Sequence, residues 1–252
     1  MASKPKRPGA SGLKAGDHKR NLALQIGLIA IVVVFAVGLI GYIVMSNSHK
    51  KGAGAGEAVR VTSSKLVTKD DSDEPKAVLT FYEDFLCPAC GNLERVLGPT
   101  VSRLIDSGAI AADYHMVAIL DRSQNDNYSS RAGAAAYCVA DENIDAFRRF
   151  HNALFTAELQ PSEIGTEFPD DKRLIELARQ AGAAGSVPAC INSGKYLKMV
   201  GGLAQAAGIH ATPTLRINGE DYRPSTPEAL VAKIREIVGD LPGMDVPPAQ
   251  ES

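Results

Sequence analysis

Neither sign of charge prevails in this sequence: 27 lysines and arginines stand against 29 aspartates and glutamates, a formal net charge of -2 at pH 7. That balance argues against the electrostatic footprint of a nucleic-acid-binding protein, and no nucleic-acid partner is expected. No internal repeat divides the 252 residues, and a hydrophobic content of 45% is enough to bury one ordinary core. Tryptophan is absent, so fluorescence from that residue cannot report on folding or redox state. Cysteine is scarce, with four residues, none of them before Cys87. No histidine follows Cys90, where Gly91 stands, which argues against haem attachment. Cys138 and Cys190 are far apart and lack a paired histidine signal, so a four-ligand zinc site with Cys87 and Cys90 loses ground too. No metal site and no bound cofactor are expected.

A different absence marks the N-terminal part. From Ile26 to Met45 there are twenty consecutive residues without a charge or an amide. At the rise of a helix these span roughly 30 Å, the hydrocarbon thickness of a bilayer. The expectation is a basic cytoplasmic tail (1–21), one transmembrane helix (22–46) and a linker (47–75). The tail carries Lys4, Lys6, Arg7, Lys14, Lys19 and Arg20 against Asp17 alone, and its length tips the orientation towards an exported C-terminal part. Lys50, Lys51, Arg60 and Lys65 on the far side oppose that preference. A cleaved signal peptide is the competing reading, since Ala53 and Ala55 have the spacing of a cleavage site, but the apolar run exceeds the usual core of about 7 to 15 residues. All four cysteines follow the apolar run, and an even number there suits an oxidising compartment.

After the linker, "AVLTFYEDF" (77–85) reads as a buried strand. Leu93, Val96 and Leu97 begin a helical pattern that Pro99 should kink or interrupt before Val101, Leu104 and Ile105 resume it. "IAADYHMVAIL" (110–120) reads as a second strand. From Ser129 to about Gly208 only helical patterns occur, with Ser130 placed to cap the first. "TPTLRINGEDYRP" (212–224) reads as a hairpin turning at Asn218 and Gly219, followed by a helix opening at Thr226 and Pro227. The order implies an α/β fold, a small mixed sheet covered by helices and interrupted by a helical block, with a loose tail at 241–252.

The chemistry resides in "FYEDFLCPACGNLERVL" (81–97). Two cysteines separated by two residues fit zinc sites, haem attachment, dithiol catalysts or inert packed thiols, and the strand-to-helix context favours the dithiol. At that junction Cys87 would meet the unpaired N–H groups of the first helical turn and the positive end of the helix dipole, both of which favour thiolate over thiol. Cys87 is then the nucleophile. Cys90, one turn further in, is the resolving thiol. Pairing these two leaves Cys138 with Cys190 as a structural disulfide in the helical block, the alternative being two buried free thiols. His115, His151 and His210 are weaker candidates: His151 reads as packed or half-exposed and His115 as part of a strand, neither of them catalytic, while His210 lies three residues before Pro213.

"FYEDFLCPAC" together with "GIHATPTLRINGE" resembles the thioredoxin fold and, within it, the DsbA-like thiol-disulfide oxidoreductases with an N-terminal membrane anchor. The resemblance implies a thioredoxin-like domain over 76–240 with a helical insertion at about 121–208. It implies a cis proline at Pro213 facing the catalytic cysteines, with Thr212 offering backbone hydrogen bonds to substrate beside Pro88 and Ala89. It further implies that the domain oxidises cysteine pairs of newly exported proteins and is itself reoxidised by a quinone-linked membrane oxidase. Two departures stand out. The residue before Cys90 is Ala89, where the family often has histidine, and the position six before Cys87, often acidic and proton-shuttling in this fold, is Phe81. Glu83 or Asp84 could take the proton-relay role instead. A reductase or isomerase of the same fold, and a non-catalytic exported peptide-binding or chaperone module, are the alternatives to an oxidase.

Overall fold

The computed structural model describes residues 58–223 and 226–246. The expected basic tail, the expected membrane helix and the first part of the expected linker lie outside these residues. Among the described residues no helix is long and apolar enough to cross a membrane.

Five strands form one mixed sheet in the order β1-β3-β2-β4-β5: β1 (Val59–Val61), β2 (Val78–Glu83), β3 (Ala111–Met116), β4 (Thr214–Ile217) and β5 (Glu220–Asp221). β2 and β3 run parallel, linked by the crossover helix α1 (Pro88–Asp106), while β1 and β4 flank them antiparallel. Central β2 buries Leu79, Phe81 and Tyr82, with Phe81 stacked on Tyr114 of β3 at 4.9 Å between ring centroids. The hairpin turns where expected, because Asn218 and Gly219 both have positive φ, 51° and 89°, as a tight two-residue turn requires.

Several expectations need correction. The linker does not extend to Pro75. Val59 and Val61 are buried, and β1 pairs with β3 through Val59–Tyr114 and Val61–Ala112. Arg60 between them forms a bidentate pair with Asp113 at 2.7 Å on each arm. Three residues with a charge at their centre are too short to show strand alternation. β3 ends at Met116 rather than at Leu120: the Val117 N–H still donates to the Glu83 carbonyl, and the Leu120 N–H then turns to the Asp84 carboxylate. α1 runs on through Pro99, held by burial of Leu97, Val101, Leu104 and Ile105 even though the proline supplies no N–H to the helix. Ser130 is not a cap; it lies in the first turn of α2 (Tyr128–Glu142), where its N–H and hydroxyl both donate to Asp121. The C-terminal tail is not wholly loose either, since Met244 is buried against the core.

The helical block runs from α2 through α3 (Ile144–Leu154), α4 (Asp171–Gln180), α5 (Val187–Asn192) and α6 (Leu197–Ala206). Its small residues let α2 sit at the centre, in contact with α3, α4, α5 and α6. A disulfide between Cys138 of α2 and Cys190 of α5 closes a loop with a sequence separation of 52. The last helix, α7 (Pro227–Val238), opens at Thr226, whose hydroxyl accepts from the Ala229 N–H, and packs beside α1.

Closing a loop of that length stabilises a fold by roughly 4 kcal/mol on the chain-entropy model. Replacing Cys138 and Cys190 together by alanine should therefore lower the free energy of unfolding by up to about 4 kcal/mol, measured by urea denaturation with far-ultraviolet circular dichroism.

Candidate active site

Cys87 is the N-cap of α1, and Pro88 fills the first helical position, where a missing N–H costs nothing and its fixed φ suits the helix. This puts the two sulfurs of one turn in different surroundings. Cys87 keeps 7% exposure, Pro88 and Ala89 are exposed beside it, and Cys90 is fully buried. Both thiols are free. The Cys87 Sγ lies 3.5 Å from the carbonyl oxygen of Thr212, and the Thr212–Pro213 peptide is cis. The structure thus brings Cys87, Pro88, Ala89, Cys90, Thr212 and Pro213 together. The Cys138–Cys190 disulfide belongs to the helical block instead.

The electrostatics of the two sulfurs diverge. Hydrogen bonding from the Cys90 thiol is the largest influence on Cys87, with the Thr212 side chain and the Cys90 and Ala89 N–H groups adding to it, and it outweighs burial to bring the Cys87 thiol down to about 5. Burial pushes the Cys90 thiol far above the ordinary range, and the neighbouring Cys87 and Glu83 push in the same direction. One sulfur is poised as a thiolate and the other as a thiol.

Of the two carboxylates considered from the sequence, Asp84 spends its oxygens on backbone. Its Oδ1 accepts from the Leu86 N–H and its Oδ2 from the Leu120 N–H, both at 2.9 Å, which ties the ends of β2 and β3 to the active-site loop. Burial raises its carboxyl to about 6 against those bonds. Glu83 is fully buried and faces His151 of α3, with Oε2 to Nε2 at 3.0 Å. Burial is the chief cause that raises Glu83 to about 8, and the charge of Cys87 adds to it. Phe81, at the position where the fold often has an acid, is core.

Sequence reasoning overlooked Glu94 and read His151 only as a packed or half-exposed residue. Glu94 lies one turn after Cys90 on the buried face of α1, in line with Cys90, Leu97 and Val101; a glutamate inside an apolar helical stripe was the available signal. His151 is packed, caged by Phe85, Tyr114, Phe147 and Phe155 with ring centroids 4.7–5.7 Å away, and nothing in the sequence signals its contact with Glu83. His115 stacks on Tyr82 in the sheet, and His210 is exposed.

A side chain from the helical block braces the loop. Gln160 Nε2 donates to the Cys87 carbonyl at 2.9 Å and to the Phe85 carbonyl at 3.3 Å, while Arg95 donates to Gln160 Oε1 at 3.2 Å. Gly91 makes room for it, since a Cβ there would stand 2.0 Å from Gln160 Oε1. Beyond Gln160 a groove of about 530 Å³ runs from Pro88 to Ile164, whose side chain is 93% exposed.

Residues 72–236 match the family described as Thioredoxin. Among solved structures, reduced DsbA of Mycobacterium tuberculosis is 67% identical to this chain, with a TM-score of 0.74 over 75% of this chain and 96% of that one. The reduced disulfide oxidoreductase DsbG of the same organism is 68% identical, with a TM-score of 0.75 over 77% of this chain and 93% of that one. Among curated proteins, the serine/threonine-protein kinase PknE of M. tuberculosis is 34% identical over 139 residues, which make up 54% of this chain. The chain spans about a quarter, 24%, of the length of the curated relatives it matches.

Two outcomes follow from this geometry. Alkylation of Cys87 by iodoacetamide should rise through an inflection near pH 5, because the thiolate is the reactive form, and not near the value of an ordinary thiol. Gly91→Ala should displace the Gln160 amide and cost about 1–2 kcal/mol through its lost hydrogen bonds. In a Gln160→Ala background the same change should cost less, since only Arg95 Nη1, 2.7 Å from the added Cβ, still has to shift, as a double-mutant cycle in urea would show.

Proposed function

Because the chain belongs to the thioredoxin family, and within it to the DsbA-like thiol-disulfide oxidoreductases, we propose that it works in the oxidising direction outside the cytoplasm, introducing disulfides into exported proteins. The observation that carries the direction is the depressed Cys87 thiol. A Cys87 thiolate favoured by about two decades at pH 7 stabilises the reduced enzyme and makes its disulfide a stronger oxidant by roughly 60 mV.

In the proposed cycle a substrate thiolate attacks Cys87 Sγ of the Cys87–Cys90 disulfide. The sulfur–sulfur bond breaks, Cys90 leaves with the electron pair and takes up a proton, and a mixed disulfide joins Cys87 to the substrate. The substrate's second thiolate then attacks its own sulfur and releases Cys87 as thiolate, the better leaving group of the pair. Glu83, buried and within electrostatic range of Cys90, is the proton donor in place of the missing acid at Phe81. Thr212 and Pro213 line the substrate cysteine's approach, and the groove from Pro88 to Ile164 offers room for the chain that flanks it.

Location and partners rest on other features. The apolar run from Ile26 to Met45 behind a basic tail supports a single-pass anchor in the cell membrane with the domain on the exported side. A disulfide at Cys138–Cys190 fits an oxidising compartment. The DsbA-like resemblance makes a quinone-linked membrane oxidase the acceptor that regenerates the disulfide. A reductase or isomerase is the second reading, favoured by Ala89 standing where the family often has histidine.

The deciding measurement is the reduction potential, equilibrated in glutathione buffers and read by thiol alkylation and mass. The expected value lies near that of DsbA, about -120 mV; a value near that of thioredoxin, about -270 mV, would reverse the direction to reduction.

A further inference from the structure

Glu83, Glu94 and His151 come from β2, α1 and α3, and one oxygen or nitrogen of each lies within 4.8 Å of the others. All three residues are buried, and Glu83 Oε1 and Glu94 Oε1 have no hydrogen-bond partner. Among the described residues, no lysine or arginine pairs with either carboxylate, and His151 is the single basic group in contact with Glu83. The remaining titratable neighbours are Tyr114 of β3, which burial keeps as a neutral phenol, and Cys87 and Cys90 of α1. Arg148 of α3 gives its charge to Asp106 instead.

Two buried carboxylates with no lysine or arginine beside them favour holding a proton over being ionised together, because burial and their mutual repulsion act together. A proton is then held there, and the structure leaves one free oxygen on each carboxylate for it. The aromatic cage keeps His151 neutral, so that its Nε2–H can donate to a Glu83 carboxylate without bringing a positive charge.

We propose that Glu94 and His151 are positioning residues that make Glu83 part of a buried two-carboxylate proton store serving Cys90. This rests on the Cys87–Cys90 exchange proposed above. When substrate thiolate displaces Cys90, the Glu83 carboxyl gives its proton to the Cys90 sulfur. The carboxylate charge left on Glu83 is held by the proton remaining on Glu94 and by the His151 Nε2–H. On reoxidation the same proton returns to Glu83 as Cys90 attacks the mixed disulfide and expels the partner's thiolate.

The test is the rate at which dithiothreitol reduces the oxidised full-length chain, measured from pH 5 to pH 9.5 on the order of half-unit steps and expressed per reagent thiolate. In the unaltered protein the rate should be high while the store is protonated and should fall through an inflection near pH 8. Glu94→Leu removes the protonated carboxyl that holds the Glu83 carboxylate, so Glu83 keeps its proton to higher pH. The inflection should move up by at least about one pH unit, and the rate at pH 8.5 should rise about threefold. His151→Phe removes the second donor to the Glu83 carboxylate, and should move the inflection the same way. Rates lowered equally at every pH, with the inflection unmoved in both variants, would overturn the store. An effect of Glu83→Gln alone would also overturn it, while leaving Glu83 as the donor. Absence of an effect of Glu83→Gln as well would overturn the donor assignment itself.

Discussion

The architecture depends on one steep change in solvation over a single helical turn. Cys87 and Cys90 are three residues apart, yet one sits beside exposed Pro88 and Ala89 among backbone N–H groups and Thr212, and the other is fully buried with Cys87 and Glu83 as its charged neighbours. A pair of thiols with equal environments would share the reduced charge and gain little from either sulfur. Burial penalises the thiolate at Cys90 and hydrogen bonding rewards it at Cys87, so the charge has one place to reside. Strand β2 sets this gradient, because its C-terminal end delivers the chain at the boundary between sheet and solvent and Pro88 starts the helix there without delay.

Holding that boundary in place takes contacts from both halves of the domain. Asp84 fixes the loop from below through Leu86 and Leu120 N–H groups, while Gln160 reaches from the helical block to the carbonyls of Phe85 and Cys87. The block also supplies His151, Phe147 and Phe155, which pack with Phe85 and Tyr114 beside the Glu83 carboxylate. The helical insertion is thus part of the site and not a cover laid beside it. Its own anchor is the Cys138–Cys190 bridge between α2 and α5.

How much of this could be read from the sequence follows from the range of each interaction. Local signals were clear: the apolar run of β2, Pro88 at the start of α1, the Asn218–Gly219 turn and the Thr226 cap each depend on neighbouring residues. Strand β1 was hidden because its stability comes from Tyr114, Asp113 and Ala112, more than fifty positions away, and not from its own three residues. Glu94 and His151 escaped for a related reason. Each by itself reads as a polar residue at the edge of an apolar stripe, and only the packing of α1 and α3 against β2 makes them neighbours of Glu83. That both Asp84 oxygens accept from the Leu86 and Leu120 N–H groups while Glu83 faces His151 likewise depends on residues far along the chain.

Ala89 now has a physical reading. Histidine at that position would offer a charge to the Cys87 thiolate, but here the stabilisation comes from the Cys90 thiol, the Thr212 side chain and the N–H groups of Cys90 and Ala89. Backbone donors are fixed by the start of the helix and do not depend on which side chain stands between the cysteines. The side chains of Pro88 and Ala89 are consequently free of that electrostatic duty, and both face solvent at the mouth of the site. What varies there can shape contact with a partner protein, while the thiolate is held by elements that the fold itself supplies.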